Sequence, residues 1–438
     1  MFGKSFALTF KRSRVSAAVV AGVLLLTGAM AFSQVEEFAL YNFGSAAFDG
    51  SYPGASLVEG STGKSVYGTT AYGGTTGNGI VFQLTSPPVF GPWLETILYN
   101  FTGGSDGGNP MSALVFDAAG NLYGTTTTGG DFGSGTVFEL TPPVNQGSPW
   151  TEITLHSFSA KEGAPISGVL VDSQGKVYGT TTNHNANGVV SPAEVFKLSP
   201  PSSGTGPWTE QILFRFTEHS NADSLIGGLV FDTKGNLYGA ALNSPTGSGF
   251  VFQLAPPASQ GAPWTETVIY TFTNSTDGGF PYSGLIIDSL GQLYGTTAAG
   301  GKASGFNGRG VVYQLVPPTQ TGGAWTENVI YTFQGSTDGG VPRGNLAFDT
   351  KGNLYGMTNQ GGDQTCSCGT VFELAAPVSG TWTFTALHAF TAGSDGAQSP
   401  RSYGGVIFHT GVGIILGTTW GGGTVDYRGT FWKVVPNP

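Results

Sequence analysis

The chain has 438 residues, 12% of them aromatic and only 10% charged, with 72 Gly and 17 basic residues set against 27 acidic ones. So few Lys and Arg in a net negative chain disfavour nucleic acid and anionic lipid as partners, because both need a basic face to replace their counterions. The supply of Val, Ile, Leu and aromatic side chains excludes a disordered chain, since it suffices for a large core.

Residues 1–31 stand apart from the rest. "MFGKSFALTFKRSRVS" carries Lys4, Lys11, Arg12 and Arg14 with no acid, and the apolar run that follows ends in Ala29-Met30-Ala31. This is the pattern of a signal peptide; the apolar run of about 15 residues falls short of the roughly 20 that a spanning helix needs. The mature chain is therefore expected to begin near Phe32, to form one domain over 32–438 with no membrane span, and to be secreted, periplasmic or held at the cell surface. Taking four basic residues from 17 leaves 13 against 27 acids, a formal charge of −14.

Beyond residue 35 one pattern recurs. Its "LYG" tyrosine falls at Tyr67, Tyr123, Tyr178, Tyr238, Tyr294 and Tyr355, with Leu416 of "ILGTT" in the seventh place, at spacings of 56, 55, 60, 56, 61 and 61. The seven units cover about 36–88, 93–143, 150–201, 208–257, 264–318, 325–377 and 382–437. Each reads as an apolar run, a turn, "NLYGTT", a glycine-rich loop, "GTVFEL", a "PP" loop and "PWTEITLHSF". These short runs, rich in β-branched and aromatic residues and bounded by Gly, Pro, Asp or Asn, are strand signals. Named a to d, the four strands of the second unit are expected near 112–117, 121–126, 135–140 and 150–158, in an antiparallel meander.

Runs such as "GLVFD" at 228–232 and "GLIID" at 284–288 are apolar at consecutive positions, so both sheet faces must be covered. Sheets packed face to face around an axis meet that demand. The Gly of "YGTT" is expected to let neighbouring sheets approach closely near the axis. The first run, "EEFALYNF" at 36–43, matches strand d of other units, and the last, "GTFWKVV" at 429–435, is a strand c with no d behind it. The expectation is an all-β, seven-bladed β-propeller of four-stranded antiparallel blades, its ring closed by the N-terminal strand (36–43) completing the last C-terminal blade. A β-solenoid is the alternative, but its coils usually take roughly 20 to 30 residues.

"FDAAGNLYGTTTTGGDFGSGTVFEL" and its copies resemble the Gloeo/Verruco (GloVer) tandem repeat of exported bacterial proteins of the choice-of-anchor type, and more distantly the propeller repeat of two-component regulators. The resemblance spans about residues 36–437. It implies an exported propeller of unassigned activity and brings no catalytic residues with it.

Few positions stand out from the repeat. The Gly103-Gly104-Ser105-Asp106-Gly107 stretch fits a serine-hydrolase pattern but lacks the helix that chemistry needs. Cys366 and Cys368 can close a local disulfide or remain two thiols. His156, His184, His219, His388 and His409 are too scattered to complete a metal site, and His156 and His388 have no evident Asp or Ser partner in their own units. Asp117, Asp172, Asp232, Asp288 and Asp349 read as turn caps, a place His409 takes in the seventh unit. Trp93, Trp150, Trp208, Trp264, Trp325 and Trp382 open strand d at one fixed place and read as packing residues.

Candidate ligand contacts are Tyr72 and Trp420, aromatic where other b-to-c loops carry Thr or Ala, and the d-to-a loop acids Asp106, Asp277, Asp338 and Asp395, with Asp49, Glu162 and Asp223 near the same place. Propeller geometry would gather these loops on one face, where the carboxylate fields would add. No catalytic residue, metal ligand or cofactor is expected, a divalent cation such as calcium being the one ion that such acids would suit. The expected function is an exported binding module, not an enzyme, for a polysaccharide, protein or cation. The alternatives are a glycan-active lyase or hydrolase and a surface or adhesion component.

Overall fold

The computed structural model describes residues 37–88, 91–145, 147–183, 190–202, 204, 206–216, 224–243, 247–259, 261–302, 308–320, 322–398, 404–424 and 426–436. The expected signal segment and Asp223 lie outside them. Seven four-stranded antiparallel sheets form the seven blades of a β-propeller, with no helix among the described residues. In the second blade the strands are Val115–Phe116, Leu122–Thr126, Thr136–Thr141 and Thr151–Ser157, paired in that order. Strand b is buried at every position, its two threonines included, whereas strand d alternates between exposed and half-buried over its first four residues.

Strand a pairs over only two residues here, shorter than the expected 112–117. The preceding backbone directs its polar groups sideways. Thr69 Oγ1 of the first blade donates to the Ser112 carbonyl at 3.0 Å, and Ser112 Oγ accepts from Thr125 N at 3.0 Å. Thr125 and Thr180 repeat the cross-blade bond to the carbonyls of Ser167 and Leu225. Near the axis, hydrogen bonds between blades take the place of a longer ladder.

The ring closes as the sequence predicts. Glu37–Asn42 lies antiparallel to Thr430–Val434, from Glu37 opposite Val434 to Asn42 opposite Thr430, beside Ile414–Thr419 and Ile407–His409. Thr424 N also donates to Asn42 Oδ1 at 3.0 Å. With strand d supplied from the other end of the chain, the last blade has no unpaired inner ladder.

The "YGTT" glycine does a different job from the one expected. Gly239 pairs with Phe252 of strand c in its own blade, and a Cβ on Gly239 would lie 2.5 Å from that ring. Gly68 and Gly417 stand in the same relation to Phe82 and Trp432, at 2.6 and 2.4 Å. The missing side chain thus seats a large ring inside the blade and does not serve the approach of two sheets. Each seated ring then meets a Phe at the end of the previous blade's strand d, as in Phe43–Phe82 at 5.1 Å, Phe216–Phe252 at 5.0 Å and Phe390–Trp432 at 5.6 Å. Such tilted pairs add about 0.5–1.5 kcal/mol each beyond their buried area. The tryptophans pack across junctions too, Trp93 on Phe431 and Trp325 on Tyr238.

Candidate functional site on the loop face

The d-to-a and b-to-c loops share one face, joined by short bridges. Gly50–Ser51 pairs with Tyr72–Gly73, and Gly108 bridges Thr128, Gly279 bridges Ala299, Gly340 bridges Gln360 and Ala397 bridges Gly421. The four loop aspartates occupy equivalent places on this face, but they point beneath it. Asp106 is 8% exposed and Asp277 9%. Asp106 accepts from Thr102 N at 2.8 Å and Tyr99 Oη at 3.1 Å; Asp277 accepts from Thr273 N at 2.7 Å and Tyr270 Oη at 3.2 Å. Asp338 holds Gln334 N at 2.7 Å and Tyr331 Oη at 3.0 Å, and Asp395 holds Thr391 N at 2.7 Å. Each carboxylate closes its own loop and ties it to strand d, so the acids form no open ring of charge.

A second acid faces several of these aspartates from strand d of the next blade. Tyr41 Oη lies 3.0 Å from Asp49 Oδ2 and 3.2 Å from Glu95 Oε2. Burial, with the nearby Asp49 charge, raises the Glu95 carboxyl well above the usual carboxylate range, and the tyrosine hydroxyl lies between the two acids. Burial likewise raises Glu152 to about 7 beside Asp106, and Glu327 to about 7 beside Asp277.

Histidine takes the tyrosine's place at two junctions, and each has the acid partner that was not evident from the sequence. His388 Nε2 is 3.2 Å from Asp395 Oδ2. His156 Nε2 is 3.7 Å from Glu162 Oε1 and 3.7 Å from Glu210 Oε1. The imidazole holds Glu162 down at about 2, while burial raises Glu210. The partners sit six or seven residues on, across the turn, a spacing already visible in Tyr99 and Asp106.

The Asp-x-x-Gly turns are capped as expected: Asp117 Oδ1 accepts from Ala119 N and Asn121 N, both at 2.9 Å. His409 departs from this role, its Nδ1 lying 2.7 Å from Glu59 Oε1 in the first blade. Cys366 and Cys368 form a disulfide in a b-to-c loop. Ser105 lies in a loop flanked by strands, with no following helix.

Tyr72 and Trp420 meet at the seam where the chain's two ends join. Tyr52 lies between them, its ring centroid 5.8 Å from that of Tyr72 and 5.4 Å from that of Trp420. Tyr72 is 45% exposed, Tyr52 and Trp420 partly so. Tyr52 adopts φ 61°, a left-handed conformation that costs a non-glycine residue about 1–3 kcal/mol. Gly54 completes the cradle, since a Cβ there would lie 2.7 Å from the Trp420 ring. Tyr52 was missed in the sequence because Asn109, Phe280 and Val341 vary at its place; all four precede Pro with positive φ. Beside the seam runs the axial cavity, about 40 Å³, with Met111, Ile166, Ile226 and Tyr282 on its wall. The Arg343 guanidinium stacks 4.2 Å over the Tyr282 ring.

The model of the Gloeobacter/Verrucomicrobia repeat matches residues 29–190, 89–306 and 243–438. The chain belongs to that repeat family. No curated protein matches it. Among solved structures, the β-propeller domain of Cps50 (Swd1) from Myceliophteria thermophila is 9% identical, with 87% of this chain and 97% of that one covered at a TM-score of 0.51. That likeness shows the propeller fold in a family known from its repeat. The polysaccharide lyase Uly1 is 12% identical over 90% of this chain and 93% of its own, with a TM-score of 0.47. A glucose dehydrogenase is 14% identical over 74% and 93%, with a TM-score of 0.40.

Proposed function

We propose that this chain is an exported binding module whose ligand is a saccharide, stacked on Tyr52, Tyr72 and Trp420 at the blade-seven to blade-one seam. The observation that carries this reading is the aromatic cluster, three neighbouring rings of which one is 45% exposed, on the face that carries the propeller's loops. A pyranose presents an apolar C–H face to such rings, and the hydroxyls around its edge suit the polar loop atoms. The loop carboxylates are already engaged in their turns, which leaves stacking as the main chemistry on offer at the seam. The signal-like first 31 residues support export.

A glycan array probed with the mature chain and with Trp420→Ala tests the proposal, with reducing ends counted in parallel. Binding by the wild type that falls at least about tenfold in the variant, without new reducing ends, is the expected result. Equal binding by both proteins would remove the seam from the site. New reducing ends would make the protein a glycan-cleaving enzyme instead.

A further inference from the structure

The junction between the second and third blades is built from the repeated plan with the wrong parts for a hydrogen bond. At the first junction the Tyr41 hydroxyl reaches both acids, at 3.0 and 3.2 Å. At the second junction Tyr99 reaches Asp106 at 3.1 Å. Here the tyrosine is His156 and the aspartate is Glu162, while the facing strand still supplies its acid, Glu210. The imidazole Nε2 stands 3.7 Å from each carboxylate, beyond hydrogen-bond reach. Both His156 Nε2 and Glu210 Oε1 are fully buried atoms with no hydrogen-bond partner. Orphaned buried polar atoms cost free energy unless something meets them.

We infer that His156, Glu162 and Glu210 form a binding site for a divalent first-row transition metal, with zinc the reference ion. Their three donor atoms lie within 4.8 Å of one another. Ligands about 2.1 Å from zinc at tetrahedral angles are separated by roughly 3.4 Å, so the two 3.7 Å separations need close only slightly. One imidazole and two carboxylates suit zinc or manganese, and the nitrogen argues against calcium, which takes oxygen. Charge agrees as well. The neighbouring Glu194 is compensated by Arg215, whose Nε lies 2.5 Å from its Oε1. Among the described residues no Arg or Lys forms an ion pair with Glu162 or Glu210, so on binding a divalent ion their two carboxyl groups would supply two negative charges to match it. A cleft of about 400 Å³ with Asp131 and Phe132 on its wall also borders His156.

The sister junctions supply the control that a simple deletion would not. Full-length untagged protein is stripped with chelator and titrated with zinc by calorimetry, alongside Glu210→Gln and the double variant His156→Tyr with Glu162→Asp. The double variant restores the arrangement of the neighbouring junctions and is expected to fold at least as well as the wild type by circular dichroism. The expected result is one zinc equivalent in the wild type, affinity lower by about tenfold or more in Glu210→Gln, and no uptake in the double variant. Cobalt bound to the wild type should show the intense visible bands of a tetrahedral site. No zinc uptake by the wild type, or equal uptake by the folded double variant, would overturn the inference.

Discussion

Glu327 shows how one side chain can mark the pH response of a whole ring. It lies on strand d of the fifth blade, facing Asp277 and its partner Tyr270, with the buried Tyr313 close by. Burial first, and the Asp277 charge second, raise its carboxyl from 4.5 to about 7. A carboxyl with a folded pKa above its unfolded one keeps a proton that the unfolded chain releases. Its contribution is therefore complete below pH 4.5, is lost as pH climbs to about 7, and stays lost above that. Glu152 acts in the same window. Urea unfolding across this range should show the wild type losing stability as pH rises, and Glu327→Gln losing less. Parallel profiles for the two proteins would mean that Glu327 titrates normally. The loop aspartates were legible in the sequence as a repeated Asp-Gly, and so was their use as turn residues. The carboxyl partners of Asp106 and Asp277, Glu152 and Glu327, were not, because each lies about 50 residues on, in the next unit, and is brought near only by the packing of one blade on another.

At the scale of the strand, the lesson lies in the "YGTT" glycine. Its recurrence was plain, but the reason for it was misread, because the ring that needs the space belongs to strand c of the same blade and faces the glycine only once the register is known. Gly239 and Phe252 are such a pair. Gly239→Ala should cost about 1–3 kcal/mol by overpacking, and Phe252→Leu should relieve part of it. In urea titrations of the two single variants and the double variant, the double should be less destabilised than the sum of the singles. Strict additivity would show that the ring does not need the glycine. Strand length was also over-read at strand a. Ala113 and Leu114 continue the apolar run, yet the Ser112 carbonyl before them bonds to the preceding blade, and hydrophobicity alone carries no information about which neighbour takes a hydrogen bond.

For the molecule as a whole, the architecture was the most legible feature, since seven copies of one unit and two complementary ends leave little choice of topology. The seam was only half legible. Tyr72 and Trp420 depart from their sister loops, but Tyr52 joins them through closure of the ring, which brings opposite ends of the chain together. Closure is therefore what both the fold and the proposed saccharide site depend on. The measurement that tests it most directly is thermal unfolding of the mature chain with and without residues 37–42. Deletion strips the pairing partner from Thr430–Val434 and exposes the apolar seam around Phe431 and Trp432, both fully buried in the closed ring. The truncated protein should melt far below the full chain and lose the near-ultraviolet signal of its packed aromatic residues; melting at the same temperature, with that signal intact, would contradict a ring closed by its first strand.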